Sequence, residues 1–170
     1  MTQTALKKLC DKEHSCCFTG HRDLTEEEKY TAERRIRAVV KAFYEMGITD
    51  YITGGAIGFD TIAAATIINM KRSGYPNLRL AVVIPFKDQP ERWSHSDKVL
   101  YRTTLEAADE IVCLNEKYTP SCMMERNIFM VDNSSYCLSY VTRQSGGSWN
   151  TVKYAERHGL KIINLAAVEW

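Results

Sequence analysis

The fold class this sequence predicts is a doubly wound α/β domain, a mostly parallel sheet with helices on both faces. Two observations predict it. Short apolar runs alternate with longer helix-periodic stretches along the chain, and two strand-to-helix passages run through a Gly-Gly turn. Strands separated by helices pair in parallel through right-handed crossovers, which puts helices on both faces of the sheet. The 170 residues suit one domain, read as 1–170 with a polar N-terminal extension at 1–14. Hydrophobic residues at 45% are enough for a packed core.

Residues 15–19 read as a buried strand and 20–23 as a loop. Thr25 and Glu28 form a capping box, each satisfying a free backbone N–H. The helix behind them carries Ile36, Val39, Val40 and Phe43 on one face and stops near Gly47. Residues 51–53 make a second strand, 54–58 a glycine turn and 60–72 an alanine- and isoleucine-rich helix. The run L-R-L-A-V-V-I at 78–84 is the clearest strand, closed by Pro85. A mostly helical stretch at 90–108 follows, then a strand at 110–114, a short helix at 123–131 and a strand at 136–141. A turn at 145–148, a helix at 150–158 ended by Gly159 and a strand at 161–165 close the pattern.

Lysine and arginine total 22 against 21 acidic residues, a formal net charge of +1. That balance argues against a domain that holds polyanions by bulk charge, so nucleic acid is not the expected partner. No apolar run approaches the ~20 residues that cross a bilayer, and residues 1–13 lack the apolar stretch of an export signal. The expectation is a cytoplasmic protein, away from membranes, with its six cysteines as thiols. Cys10, His14, Cys16 and Cys17 come nearest to a metal cluster, but no C-x-x-C pair exists, and no metal is expected.

In a doubly wound sheet, ligands bind beyond the carboxyl ends of the strands, near the point where strand order reverses. Four segments fall at such ends. They are Thr19, Gly20, His21 and Arg22; Gly54, Gly55, Ala56, Gly58 and Asp60; Pro85, Phe86, Gln89 and Trp93; and Ser145, Gly146, Gly147, Ser148 and Thr151. Glycine admits close backbone approach, and a helix start offers unpaired N–H groups with partial positive charge, a combination that suits phosphate. The plain alternative is that the glycines only make tight turns. Neither turn fits G-x-G-x-x-G or the P-loop pattern.

Asp60 could accept a ribose diol, or it could simply favour its helix start. Arg22 reads as a phosphate contact, and His21 as either a contact or a loop-orienting group. Gln89 and Trp93, one helical turn apart, could read the polar edge and the face of a base. Trp93 alone reads more readily as core packing. Arg126 and Asn127 lie in the short helix before the second turn, where an arginine could clamp phosphate; spacing alone favours a surface arginine. Ile62, Ile67, Ile68 and Met70 could support a homodimer, although core burial explains them as well.

The residues C-C-F-T-G-H-R at 16–22, G-G-A-I-G-F-D at 54–60, P-F-K-D-Q-P-E-R-W at 85–93 and S-G-G-S-W-N-T-V-K-Y-A at 145–155 together resemble the YpsA-type branch of the SLOG superfamily. That superfamily also holds DprA-like DNA-processing proteins and Lonely-guy phosphoribohydrolases. The resemblance implies a Rossmann-like domain with a pocket for a nucleotide or nucleotide derivative. The hydrolase relatives resemble M-x-x-R-K followed by P-G-G-x-G-T-x-x-E, whose arginine and glutamate serve catalysis. Here M-M-E-R-N at 123–127 puts Arg126 at the arginine, while Tyr154 falls where the glutamate should be. Tyrosine, with a pKa of about 10, cannot supply that carboxylate.

The expected function is therefore binding or sensing of a phosphorylated nucleoside, nucleotide-sugar or NAD- or ADP-ribose-like molecule. No cofactor is required beyond a bound nucleotide or phosphate. The alternative is an N-glycosidase acting on nucleoside 5′-monophosphates, with Asp60 and Arg126 as catalytic candidates; DprA-like single-stranded DNA binding ranks third.

Overall fold

Strand β1 (Ser15–Gly20) is apolar enough to be buried on both faces, and its first five residues are. Its neighbours Cys16 and Cys17 point to opposite sides, so each joins a different hydrophobic cluster. In the computed structural model, which describes residues 11–167 and 169, β1 is followed by α1 (Glu26–Glu45), β2 (Asp50–Thr53), α2 (Phe59–Arg72) and β3 (Arg79–Ile84). Then come α3 (His95–Ala107), β4 (Glu110–Cys113), α4 (Cys122–Asp132), β5 (Tyr136–Tyr140), α5 (Gly146–Arg157) and β6 (Lys161–Asn164).

The six strands lie in the order β4-β3-β2-β1-β5-β6, and every pair is parallel. The chain first winds outward from β1 to β4, then returns to the other side of β1 to lay down β5 and β6. Strand order therefore reverses between β1 and β5. Helices α1 and α2 cover one face through Ile36, Val40, Ala63, Ala64 and Ile67, with α3 adding partly buried Tyr101 and Leu105. Helices α4 and α5 cover the other through Met130, Val131 and Ala155. The expected doubly wound architecture is the observed one.

The capping box forms as read: the Glu28 N–H donates to Thr25 Oγ1 at 3.1 Å and the Thr25 N–H donates to Glu28 Oε2 at 2.8 Å. Replacing such a cap by alanine costs about 1 kcal/mol. Ile67 and Met70 are buried in the core, and Ile62 and Ile68 pack against it partly buried.

Two boundaries differ from the sequence reading by four residues or more. The segment after Pro85 runs through turns, and α3 starts only behind Ser94, whose hydroxyl accepts from the Asp97 N–H at 3.2 Å. Gln89 and Trp93 are therefore not one helical turn apart. Helix α5 begins at Gly146, not near Asn150, because the diglycine forms its first turn.

Of the expected extension, Lys12–His14 form a 3-10 turn, and the Lys12 carbonyl accepts from the Ser135 hydroxyl at 2.7 Å. Residues 1–10 lie outside the described ones, and with them Cys10 of the cysteine-histidine cluster. Among the described residues no three His, Cys, Asp or Glu side chains gather as a metal site would, and no helix is long and apolar enough to cross a membrane. Cys16, Cys17, Cys122 and Cys137 are buried free thiols, and Cys113 is an exposed one.

Candidate functional site

The ends of β1 and β5 open into a cleft of about 400 Å³. Its floor and walls include Gly20, His21 and Arg22 after β1, Ala56 and Asp60 before and within α2, Arg126 and Asn127 on α4, and Ser145 to Ser148 at the start of α5. Three of the four sequence segments thus meet at one rim. Arg143, Asp23 and Met123 line it as well and were missed from the sequence. Arg143 had a signal, a cation three residues ahead of the diglycine. Met123 had one too, as the methionine of the M-x-x-R pattern that ends at Arg126, while Asp23 had none.

The two diglycine turns behave differently. In the first, the Gly55 N–H donates to Thr53 Oγ1 at 3.4 Å and the Ala56 N–H to the Asp60 carboxylate at 3.2 Å. Arg126 Nη1 donates to the Gly54 carbonyl at 2.5 Å. A Cβ on Gly54 would lie 2.5 Å from that guanidinium, and one on Gly58 2.4 Å from the Arg22 carbonyl. Gly58 also has φ +84°, a left-handed conformation that favours glycine. The sequence reading expects this turn's amides to face a phosphate; here the Gly55 and Ala56 amides are used within the protein. Asp60 accepts the Ala56 N–H, standing where an anion would.

The second turn is open. Ser145, Gly146 and Gly147 are exposed, and a Cβ on either glycine would meet nothing within 4 Å. The first N–H groups of α5 have no intrahelical acceptor and carry the positive end of the helix dipole. Ser148 Oγ donates to the Gly20 carbonyl at 2.8 Å, tying this helix start to the end of β1. Thr151 points elsewhere; it is buried and its hydroxyl donates to the Gly147 carbonyl at 2.9 Å.

Arg126 is 4% exposed, not the surface residue that spacing favoured. Its Nε donates to Asn127 Oδ1 at 2.8 Å. Burial lowers the Arg126 pKa from its ordinary value, with the Asp60 charge acting against that shift. Burial pushes the Asp60 carboxyl up, while Arg126, the Ala56 amide and Arg22 hold it down. His21 is buried, and its Nε2 accepts from the Thr142 N–H at 2.9 Å, which makes it a loop-orienting group.

A second cleft of about 480 Å³ adjoins the first, sharing Arg22 and Met123. Phe86, Gln89 and Trp93 line it, with Asp88, Arg92 and Tyr118. Phe86 meets Tyr118 edge to face at 5.5 Å, and Trp93 meets Tyr101 likewise at 5.3 Å. Gln89 is buried, its Nε2 3.5 Å from the Gly55 carbonyl. Pro85 ends β3, and its carbonyl accepts from Asn115 Nδ2 at 3.0 Å. Tyr154, at the position of the hydrolase glutamate, is spent on Asp132, to which its hydroxyl donates at 2.8 Å.

Residues 17–166 match the model of the YspA SLOG family (YpsA). The chain is 29% identical over 119 residues to the SPbeta prophage-derived protein YoqJ of Bacillus subtilis strain 168, covering 63% of this chain and 69% of that one. It is 29% identical over 122 residues to the UPF0398 protein ABC2016 of Shouchella clausii, covering 71% and 63%. In fold it is similar to DNA processing protein A from Streptococcus pneumoniae, with TM-score 0.65 and 15% identity over 89% of this chain and 50% of that one. It is likewise similar to DNA processing protein A from Helicobacter pylori, described for its single-stranded DNA binding mode, with TM-score 0.65 and 18% identity over 91% and 66%. The chain thus spans half the length of the first of these structures and under two thirds of the second. It belongs to the YspA SLOG family.

Proposed function

We propose, from membership of this family and the rim just described, that the protein binds a phosphorylated nucleoside. The observation that carries the reading is the open start of α5, facing Arg22 and Arg143 across one cleft. Amide hydrogens, a helix dipole and two guanidinium groups converge there, a set that suits a phosphate dianion. The second cleft shares Arg22 and supplies aromatic faces, so a ligand with phosphate in the first and a planar base in the second fits the pair. A nucleoside monophosphate, a nucleotide-sugar or an ADP-ribose-like molecule has that form.

One observation favours a second reading, cleavage of the N-glycosidic bond. Asp60 lines the phosphate cleft with a carboxyl that burial pushes upward, as a proton donor requires. Against it, the same carboxylate accepts the Ala56 N–H, and Tyr154 lies outside the cleft lining.

A thermal-shift panel of nucleotides, nucleotide-sugars and single-stranded oligonucleotides tests these readings. Ligand at a hundred times its Kd stabilises by about 2.7 kcal/mol and raises Tm. No shift across the panel at millimolar concentration overturns the binding reading. Release of free base, abolished by Asp60→Asn in a folded protein, establishes the glycosidase. Salt-sensitive shifts with oligonucleotides alone point instead to the activity named for the Helicobacter neighbour.

A further inference from the structure

We infer that His21 is the positioning residue of this rim: its neutral ring holds the loop carrying Arg143 and the α5 start in place, and protonation of the ring releases that loop. The ligand's identity rests on the nucleotide reading above; the clasp itself does not.

The geometry fixes the ring's state. Nε2 accepts a backbone N–H from Thr142 at 2.9 Å, so the neutral ring carries its proton on Nδ1. The His21 N–H donates to the Tyr140 carbonyl at 3.3 Å, and its carbonyl accepts from the Phe59 N–H at 3.1 Å. One residue therefore joins the end of β1, the exit of β5 and the first turn of α2. An imidazolium bears hydrogen on both nitrogens, so a charged His21 would set donor against donor at Thr142.

The charged groups facing the ring are Arg143 on the loop it holds, Asp23 on its own loop and Glu28 on α1. Burial first, then Arg143, lowers the ring's pKa from its ordinary value; the two carboxylates act against them. Asn164 holds the preceding residue, accepting the Val141 N–H at 3.1 Å and donating to the Val141 carbonyl at 2.9 Å, so the clasp governs the loop beyond Val141. The Arg143–Asp23 pair at 3.0 Å is exposed, and Ser148 anchors only the far end.

The test is amide hydrogen exchange of the full chain from about pH 7.5 to about pH 5, together with AMP titrations over the same range. The expected result is a loss of Thr142 protection of about tenfold as the ring charges, with AMP affinity falling alongside. His21→Gln keeps a neutral acceptor near the Nε2 position, so it should preserve protection and flatten both profiles. His21→Ala should lose protection at every pH.

Thr142 protection that ignores pH, or is equal in wild type and His21→Ala, overturns the inference. If His21→Ala does not fold, the ring's ¹⁵N shifts decide: a proton on Nε2 overturns it and a proton on Nδ1 supports it. If AMP does not bind at any pH, the nucleotide reading fails while the exchange profile still decides the clasp.

Discussion

The Gly-Gly turns at 54–55 and 146–147 look alike in sequence, yet one is closed and the other open. Around the first, the Gly55 and Ala56 amides are taken by Thr53 and Asp60, the Gly54 carbonyl by Arg126, and the glycine faces by Arg126, Val82 and Tyr101. Around the second, both glycines face empty space. The difference teaches that a diglycine turn into a helix is only a capacity for anion binding. What decides its use is whether the protein supplies its own anion. At the first turn it does, four residues beyond the amide that binds it.

The sharpest way to break this comparison is to put a side chain in each turn. Gly58→Ala forces a Cβ to within 2.4 Å of the Arg22 carbonyl at a φ of +84°. It should cost about 3 kcal/mol or more, or prevent folding, in denaturant unfolding. Gly147→Ala should stay within about 0.5 kcal/mol of wild type. Gly147→Asp should leave Tm unchanged or slightly higher yet abolish nucleotide shifts, since it installs at the open turn the carboxylate that the closed turn already has.

Arg126→Met should come next in effect, destabilising by about 1–3 kcal/mol because it leaves the buried Gly54 carbonyl without its donor and removes the charge that holds the Asp60 carboxyl down. The loss should shrink in Arg126→Met with Asp60→Asn, measured as a double-mutant cycle.

The pH dependence of Tm sharpens the contrast further. Asp60, raised when folded, binds more protons in the native state, so its contribution falls as pH rises through the unfolded and then the folded pKa. Asp60→Asn should remove that slope. His21, lowered when folded, contributes the opposite slope. Its stability is complete above the unfolded value of about 6.5 and is lost as pH falls through the folded pKa. The smallest effect belongs to Asp23→Asn, whose exposed pairing with Arg143 should leave Tm unmoved while modestly tightening nucleotide binding.

The fold was legible because its signals are local: the capping box at Thr25, the alternation of apolar runs, and Pro85 closing β3. The helix starts at Gly146 and His95 were misplaced for local reasons too. Glycine reads as a turn even when it forms a first helical turn, and the Ser94 cap was overlooked behind Pro90. The partition of the site was not legible. Arg126 reaches Gly54 across 72 residues of sequence, a contact that no spacing rule encodes. Likewise, nothing in the string His21-Arg22 shows that the ring is committed to Thr142 while the guanidinium stays exposed.

The sheet order has a consequence for how the chain is made. Strand β1 emerges first, yet it acquires its neighbour β5 only after residue 140, when four strands and four helices already exist. Until then a strand whose first five residues end up buried waits with one flank unpaired, a template for any stray strand. Because α5 follows β5, the open diglycine turn is laid down after the rest of the rim. The vulnerable seam and the working rim are finished within a few residues of each other.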